Sequence, residues 1–217
     1  MQHEISFTNR ARYQKLGTIT EHTKHVWFVL HGYGQLAQYF IRKFRALENA
    51  GICVIAPEAL SRFYLEDVTA RMQSGNNRVG ASWMTRENRQ MDIDNYIQYL
   101  NAVYQQEIPP SHPLHVTILG FSQGAATATR WAINDQASFH RLILWAGIFP
   151  PDMDLETGRE VLKDKEVVLV HGTSDPFLTD ARFAEMETLS ARLHVTPRRL
   201  TFDGGHDIHE GTLPQLF

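Results

Sequence analysis

The stretch Leu119–Ala126, LGFSQGAA, decides how this chain is read. It ends the apolar run HVTILGF that begins at His115, and small residues follow it in a run compatible with a helix to about Asn134. A serine at a sharp strand-to-helix turn has a strained backbone. Its neighbours must be small so that strand and helix can close on each other. Gly120 and Gly124 occupy those two places. Such a turn pushes the Ser122 hydroxyl into the open and leaves the Gln123 backbone N–H at a helix N-terminus, where donors lack intrahelical partners. G-x-S-x-G by itself is common in turns; between a strand and a helix it marks a nucleophile.

Outward from this turn, apolar β-branched runs recur: VWFVL from Val26, ICVIA from Ile52, RLILWAG from Arg141, EVVLV from Glu166 and RRLTF from Arg198. They are continuous rather than alternating, as for strands buried on both faces of a parallel sheet. Stripes at helical spacing separate them: Leu36, Phe40, Ile41, Phe44 and Leu47; Ile93, Tyr96, Ile97, Leu100 and Tyr104; Phe183, Met186, Leu189 and Leu193. Each predicts a helix with one face on the core. QHEISF and ARYQKLGTI read as a short antiparallel addition at the sheet edge. The predicted fold class is α/β, a three-layer α/β/α sandwich with a mostly parallel central sheet. No linker divides residues 1–217, so one domain is expected, with a long rim loop at about 57–86.

Composition narrows the partners. The chain has 217 residues, 43% hydrophobic and 21% charged, as in ordinary globular domains. A formal net charge of −3 is too mild to point to nucleic acid or an anionic membrane. One cysteine, Cys53, lies in an apolar run, so it reads as buried and forms no internal disulfide. No apolar stretch approaches the roughly 20 residues that span a bilayer, and the first residues do not read as a signal peptide. The expectation is a cytoplasmic protein without a stable membrane anchor. A homodimer is left open.

A serine hydroxyl needs a base, and the base needs an orienting carboxylate. EVVLVHGTSDP ends a strand and delivers Asp175 into a loop that Pro176 starts. After RRLTF, the segment DGGHDIHE brings His206 up behind two glycines. Ser122, Asp175 and His206 thus follow three strands in the order serine, acid, histidine. Thr179 and Asp180 are better placed than Asp175 to cap the next helix. Asp203 and Asp207 lie too near His206 in sequence to orient it from a separate loop, and His209 falls on the final helix.

The other glycine-bearing loop, VLHGYGQLA from Val29, admits two readings. Gly32, Gly34 and Ala37 fit the dinucleotide-binding pattern, with Glu58 at the distance of a ribose contact. Alternatively, the Tyr33 amide forms an oxyanion hole with that of Gln123, each donor worth about 10²–10³ in rate. The second reading also accounts for the other segments. HDIHE lacks a second ligand pair and no phosphate-binding loop is present, so neither cofactor nor metal is expected.

LHGYG, GFSQGA, HGTSDP and GGHDI, in that order, resemble the α/β-hydrolase fold and its small carboxylesterases, lysophospholipases and acyl-protein thioesterases. The resemblance runs from about Val26 to the C-terminus. It implies hydrolysis of a small-molecule carboxylic ester or thioester through Ser122, Asp175 and His206, with Tyr33 and Gln123 amides as the oxyanion hole. The sequence departs from the family at Tyr33, at Phe177–Thr179 and over Ser61–Met84, all positions that shape substrate pockets. Phe63, Tyr64, Trp83, Met84, Ile148, Phe149 and Phe177 are pocket candidates, or else ordinary packing beneath a long loop. A binding module on a hydrolase scaffold is the alternative from another class.

Overall fold

The computed structural model describes residues 3–110, 113–134 and 136–217. Among the described residues there are nine strands: β1 (Tyr13–Leu16), β2 (His25–Leu30), β3 (Cys53–Pro57), β4 (Ser61–Tyr64), β5 (Val79–Ser82), β6 (His115–Phe121), β7 (Arg141–Trp145), β8 (Glu166–Gly172) and β9 (Arg198–Phe202). Seven of them form one sheet in the order β1-β3-β2-β6-β7-β8-β9. β1 runs antiparallel to β3 and every other pairing is parallel. The predicted mostly parallel sheet is therefore present.

The helices are α1 (Ala37–Phe40), α2 (Arg45–Asn49), α3 (Val68–Ser74), α4 (Arg89–Glu107), α5 (Gln123–Ala132), α6 (Leu155–Leu162) and α7 (Asp180–Leu193). Successive strand residues point to opposite faces, so the continuous apolar runs feed two cores. Val26, Phe28 and Leu30 of β2 join Tyr96 and Leu100 of α4 and Trp131 of α5 on one face. Trp27 and Val29 join Phe40, Phe44, Leu47 and the C-terminal Leu213 and Leu216 on the other. Helical layers thus cover both faces. Fully burying each such aliphatic or aromatic side chain stabilises the fold by about 1.5–3 kcal/mol. Cys53 is buried as expected, and desolvation pushes its thiol up to about 11.

Three expectations change. Of the QHEISF segment, Gln2 lies outside the described residues and His3–Phe7 form no strand, with Ile5 and Phe7 exposed. Two apolar residues bury too little to offset the entropy of ordering the chain. The stripe from Leu36 to Leu47 does lie on the core but is not one helix: a 3₁₀ turn, Ile41–Phe44, separates α1 from α2. The long rim loop is a structured element. β4 and β5 pair as an antiparallel hairpin, and its connection contains α3, capped by the Asp67 side chain accepting from Ala70 N–H. Among the described residues no helix is long and apolar enough to cross a membrane.

Candidate active site

The turn after β6 is built as its glycines require. Ser122 has φ 54° and ψ −116°, outside the ordinary regions for a residue with a side chain. Backbone strain of this kind costs about 1–3 kcal/mol and persists only where the surroundings enforce it. Here the enforcement is close packing. A Cβ on Gly120 would overlap the Gly124 carbonyl, and one on Gly124 would overlap the carbonyl of Leu30. The Ser122 N–H donates to the Trp145 carbonyl at 2.9 Å, which ties the turn to β7.

The loops after β8 and β9 meet beside this serine. Thr173 N–H donates to the Phe202 carbonyl and Ser174 N–H to the Gly204 carbonyl, both at 2.9 Å, so the acid loop and the histidine loop are laced together. His206 Nε2 lies 2.8 Å from Ser122 Oγ, and His206 Nδ1 lies 2.8 Å from Asp175 Oδ2. An ionised carboxylate only accepts, so Nδ1–H donates to it and Nε2 is left to accept the serine proton. The Asp175 side chain is 1% exposed, and its other oxygen accepts the Phe177 N–H at 2.9 Å. The His206 ring lies between Phe121 and an edge-on Phe177, with centroids 5.0 and 4.6 Å away. Two of the rival groups are occupied elsewhere. Asp207 pairs with Lys43, while His209 stacks on Phe202 and bonds Thr212.

Across the turn, the loop after β2 has most of its amides engaged. Gly32 N–H donates to the Gln35 side chain, Gly34 N–H to the Ala81 carbonyl and Gln35 N–H to the Gly32 carbonyl. Among the described residues the Tyr33 N–H has no such acceptor. His31, fully buried, accepts the Ala59 N–H at Nε2, so its Nδ1–H donates to the Gly32 carbonyl. Burial lowers its pKa and keeps it neutral.

The hairpin connects the two sides. Gly34 and Gln35 exchange backbone hydrogen bonds with Ala81 of β5. Two residues on, the Gln123 side chain accepts the Trp83 N–H at 3.1 Å and donates to the Met84 carbonyl at 3.0 Å. The amide-bearing loop and the serine turn are therefore held by one hydrogen-bonded circuit. Sequence reasoning missed this use of the Gln123 side chain. Its only local signal is an amide-bearing residue placed directly after the serine.

The pocket candidates divide. Phe63 stands against Tyr33 at 5.1 Å between centroids, and Tyr64 and Phe177 are exposed at the rim. Ile148 lines a small apolar cavity with Leu178 and Phe183. Trp83 and Phe149 are not pocket residues: both are buried in the core, where Trp83 donates its indole N–H to the His31 carbonyl. Met84 is half-buried, its sulfur facing Arg130. The ribose contact also fails. Glu58 is 1% exposed, paired with Arg12 at 2.6 Å, and accepts the Ala37 N–H, so its carboxylate is spent inside the fold.

Comparison with solved structures shows the same fold. An acyl-protein thioesterase 2 from Zea mays aligns with TM-score 0.69 at 16% identity, over 95% of this chain and 96% of that one. Esterase PE8 aligns with TM-score 0.66 at 20% identity, over 96% of each chain. A phospholipase/carboxylesterase from Dyadobacter fermentans aligns with TM-score 0.65 at 18% identity, over 97% of this chain and 96% of that one. No curated protein sequence matches. The family model for serine hydrolase (FSH1) matches residues 20–210, and the chain belongs to that family.

Proposed function

We propose that this serine hydrolase cleaves carboxylic esters, oxygen or sulfur, through an acyl-enzyme on Ser122. The observation that carries the reading is the unbroken hydrogen-bonded line from Ser122 through His206 to Asp175, beside the unengaged Tyr33 N–H. In this mechanism His206 Nε2 takes the Ser122 proton as Oγ attacks the carbonyl carbon. The Tyr33 and Gln123 N–H groups hold the oxyanion, and Asp175 steadies the imidazolium. His206 then returns the proton to the departing alcohol or thiol. Water, deprotonated by the same nitrogen, cleaves the acyl-enzyme and regenerates Ser122. Every proton passes through His206, so the reaction asks for neither cofactor nor metal. The thioesterase and esterase folds above support an ester or thioester as the scissile bond. A cytoplasmic setting, in keeping with the buried Cys53 thiol, belongs to the same proposal.

Intact-mass labelling with a fluorophosphonate tests it. One adduct is expected on the wild type and none on Ser122→Ala. In an ester and thioester panel, Ser122→Ala is expected to lose about 10⁴–10⁶-fold in kcat while keeping the wild-type circular dichroism. A folded wild type that takes no adduct would favour a scaffold that binds without catalysis.

A further inference from the structure

Beside the Tyr33 loop lies a cleft of about 1120 Å³, between α1 on one side and the β4–β5 hairpin on the other. Gly34 and Gln35 form part of its wall, so it begins one residue from the N–H proposed to hold the oxyanion. Its polar lining is cationic. Arg12, Lys43, Arg62 and Arg78 come from four segments of the chain, and no carboxylate is among the lining residues. In a chain of formal net charge −3, this concentration runs against the overall balance.

The neighbouring acids do not cancel it. Arg12 sits 2.6 Å from Glu58, and Arg62 reaches the same buried carboxylate at 3.6 Å. Arg78 pairs with Glu66 at 2.6 Å and Lys43 with Asp207 at 2.8 Å. Three carboxylates answer four cations, and Arg62 holds the long, shared contact. Two further arginines flank the rim, Arg42 over the Tyr39 ring and Arg71 over that of Tyr64. The described residues offer neither an ion pair; Asp67, nearby, is occupied in capping α3. Excess positive charge in a walled cleft focuses the field on an incoming anion. The guanidinium fork matches the paired oxygens of a carboxylate or phosphate. The cleft also presents exposed apolar side chains, Tyr39, Tyr64 and Leu65, beside the Tyr33–Phe63 pair, and these suit an apolar spacer.

The geometry points to this cleft as the binding site for an anionic group, carboxylate or phosphate, carried on the ester substrate at a distance from the scissile carbonyl. The assignment rests on Ser122 as nucleophile. Two substrate pairs test it. 4-Nitrophenyl hemiglutarate against 4-nitrophenyl pentanoate places a carboxylate on the acyl side. Hexanoyl coenzyme A against hexanoyl N-acetylcysteamine places phosphates on the leaving group. In one pair, the anionic member is expected to have a kcat/KM roughly tenfold higher, as for a hydrogen bond to a charged group. Added salt should lower that ratio. In the folded double variant Arg62→Gln/Arg78→Gln it should fall toward one, whereas Arg199→Gln, on β9, should preserve it. Ratios near one in both pairs, or a ratio that survives the double substitution, overturn the assignment while the Ser122 reading stands. Absence of turnover together with absence of a fluorophosphonate adduct strikes the Ser122 reading, and the cleft assignment falls with it.

Discussion

Asp175 lies 31 residues before His206 and Asp207 directly after it, yet only Asp175 reaches the imidazole. In the proposed mechanism, Asp175→Asn presents an amide to Nδ1 and lets the ring adopt the other tautomer. Turnover is expected to drop about 10⁴-fold, read as kcat on any ester that the wild type cleaves. Asp207→Asn removes a surface pair with Lys43 and is expected to leave kcat within about twofold, since exposed ion pairs contribute about 0–1 kcal/mol. The opposite ranking would reassign the acid. The positions of Ser122, Asp175 and His206 were legible because each follows a strand with a recognisable turn. Trp83 and Phe149 were not: an aromatic side chain reads alike whether it lines a pocket or fills a core. Their burial is decided by residues such as His31 and α5, remote in sequence.

Among the elements, the β4–β5 hairpin was the least legible. Ser61–Met84 carries two strands of four residues each, too short for a periodic signal, around a two-turn helix. Its role as a clamp comes from contacts to Gly34, Gln35 and Gln123 made across 39 or more residues. Gln123→Leu keeps the side-chain size but removes an acceptor for Trp83 N–H and a donor for the Met84 carbonyl. The Met84 carbonyl keeps the Ser82 hydroxyl as donor, but leaving the Trp83 N–H unpaired costs about 1–3 kcal/mol. If the clamp aligns the two amides, kcat should fall about 10–100-fold, up to the worth of one oxyanion donor, with KM little changed. Gln123→Glu, which retains only the acceptor, should recover part of the loss. A variant that loses thermal stability yet keeps the wild-type kcat would make the clamp purely structural.

At the scale of the molecule, the end of the sheet opposite the serine carries a row of imidazoles. His115 stacks on His140 at 4.4 Å and faces His25 at 5.2 Å, across the starts of β2 and β6 and beside the start of β7. Partial burial lowers the pKa of His25 and His115, and Arg141 and His140 lower both further, with Lys24 adding to the effect at His25. Glu166, which meets the row through Arg141, is already paired with Arg141 and Arg198. The unfolded chain accepts these protons near 6.5, whereas the folded one resists them until lower pH. The contribution to stability is therefore full above about 6.5 and is lost as pH falls through that value toward the lowered ones. Melting temperature should decline between about pH 7.5 and about 5.5, and His25→Gln should make the decline shallower. An equal slope in the variant would remove His25 from the linkage.

The sequence by itself determined the parallel sheet, the strained serine turn and the order in which serine, acid and histidine follow their strands. All of these rest on local periodicity and turn chemistry, written within about ten residues of each position. Only the tertiary structure decided that Glu58 is a buried partner of Arg12, that the Gln123 side chain clamps the hairpin, and that cations from four segments line one cleft. These are meetings between segments far apart in the chain. A carboxylate, an amide or a guanidinium shows its chemistry in the sequence, but its partner is set by which strands the sheet brings side by side.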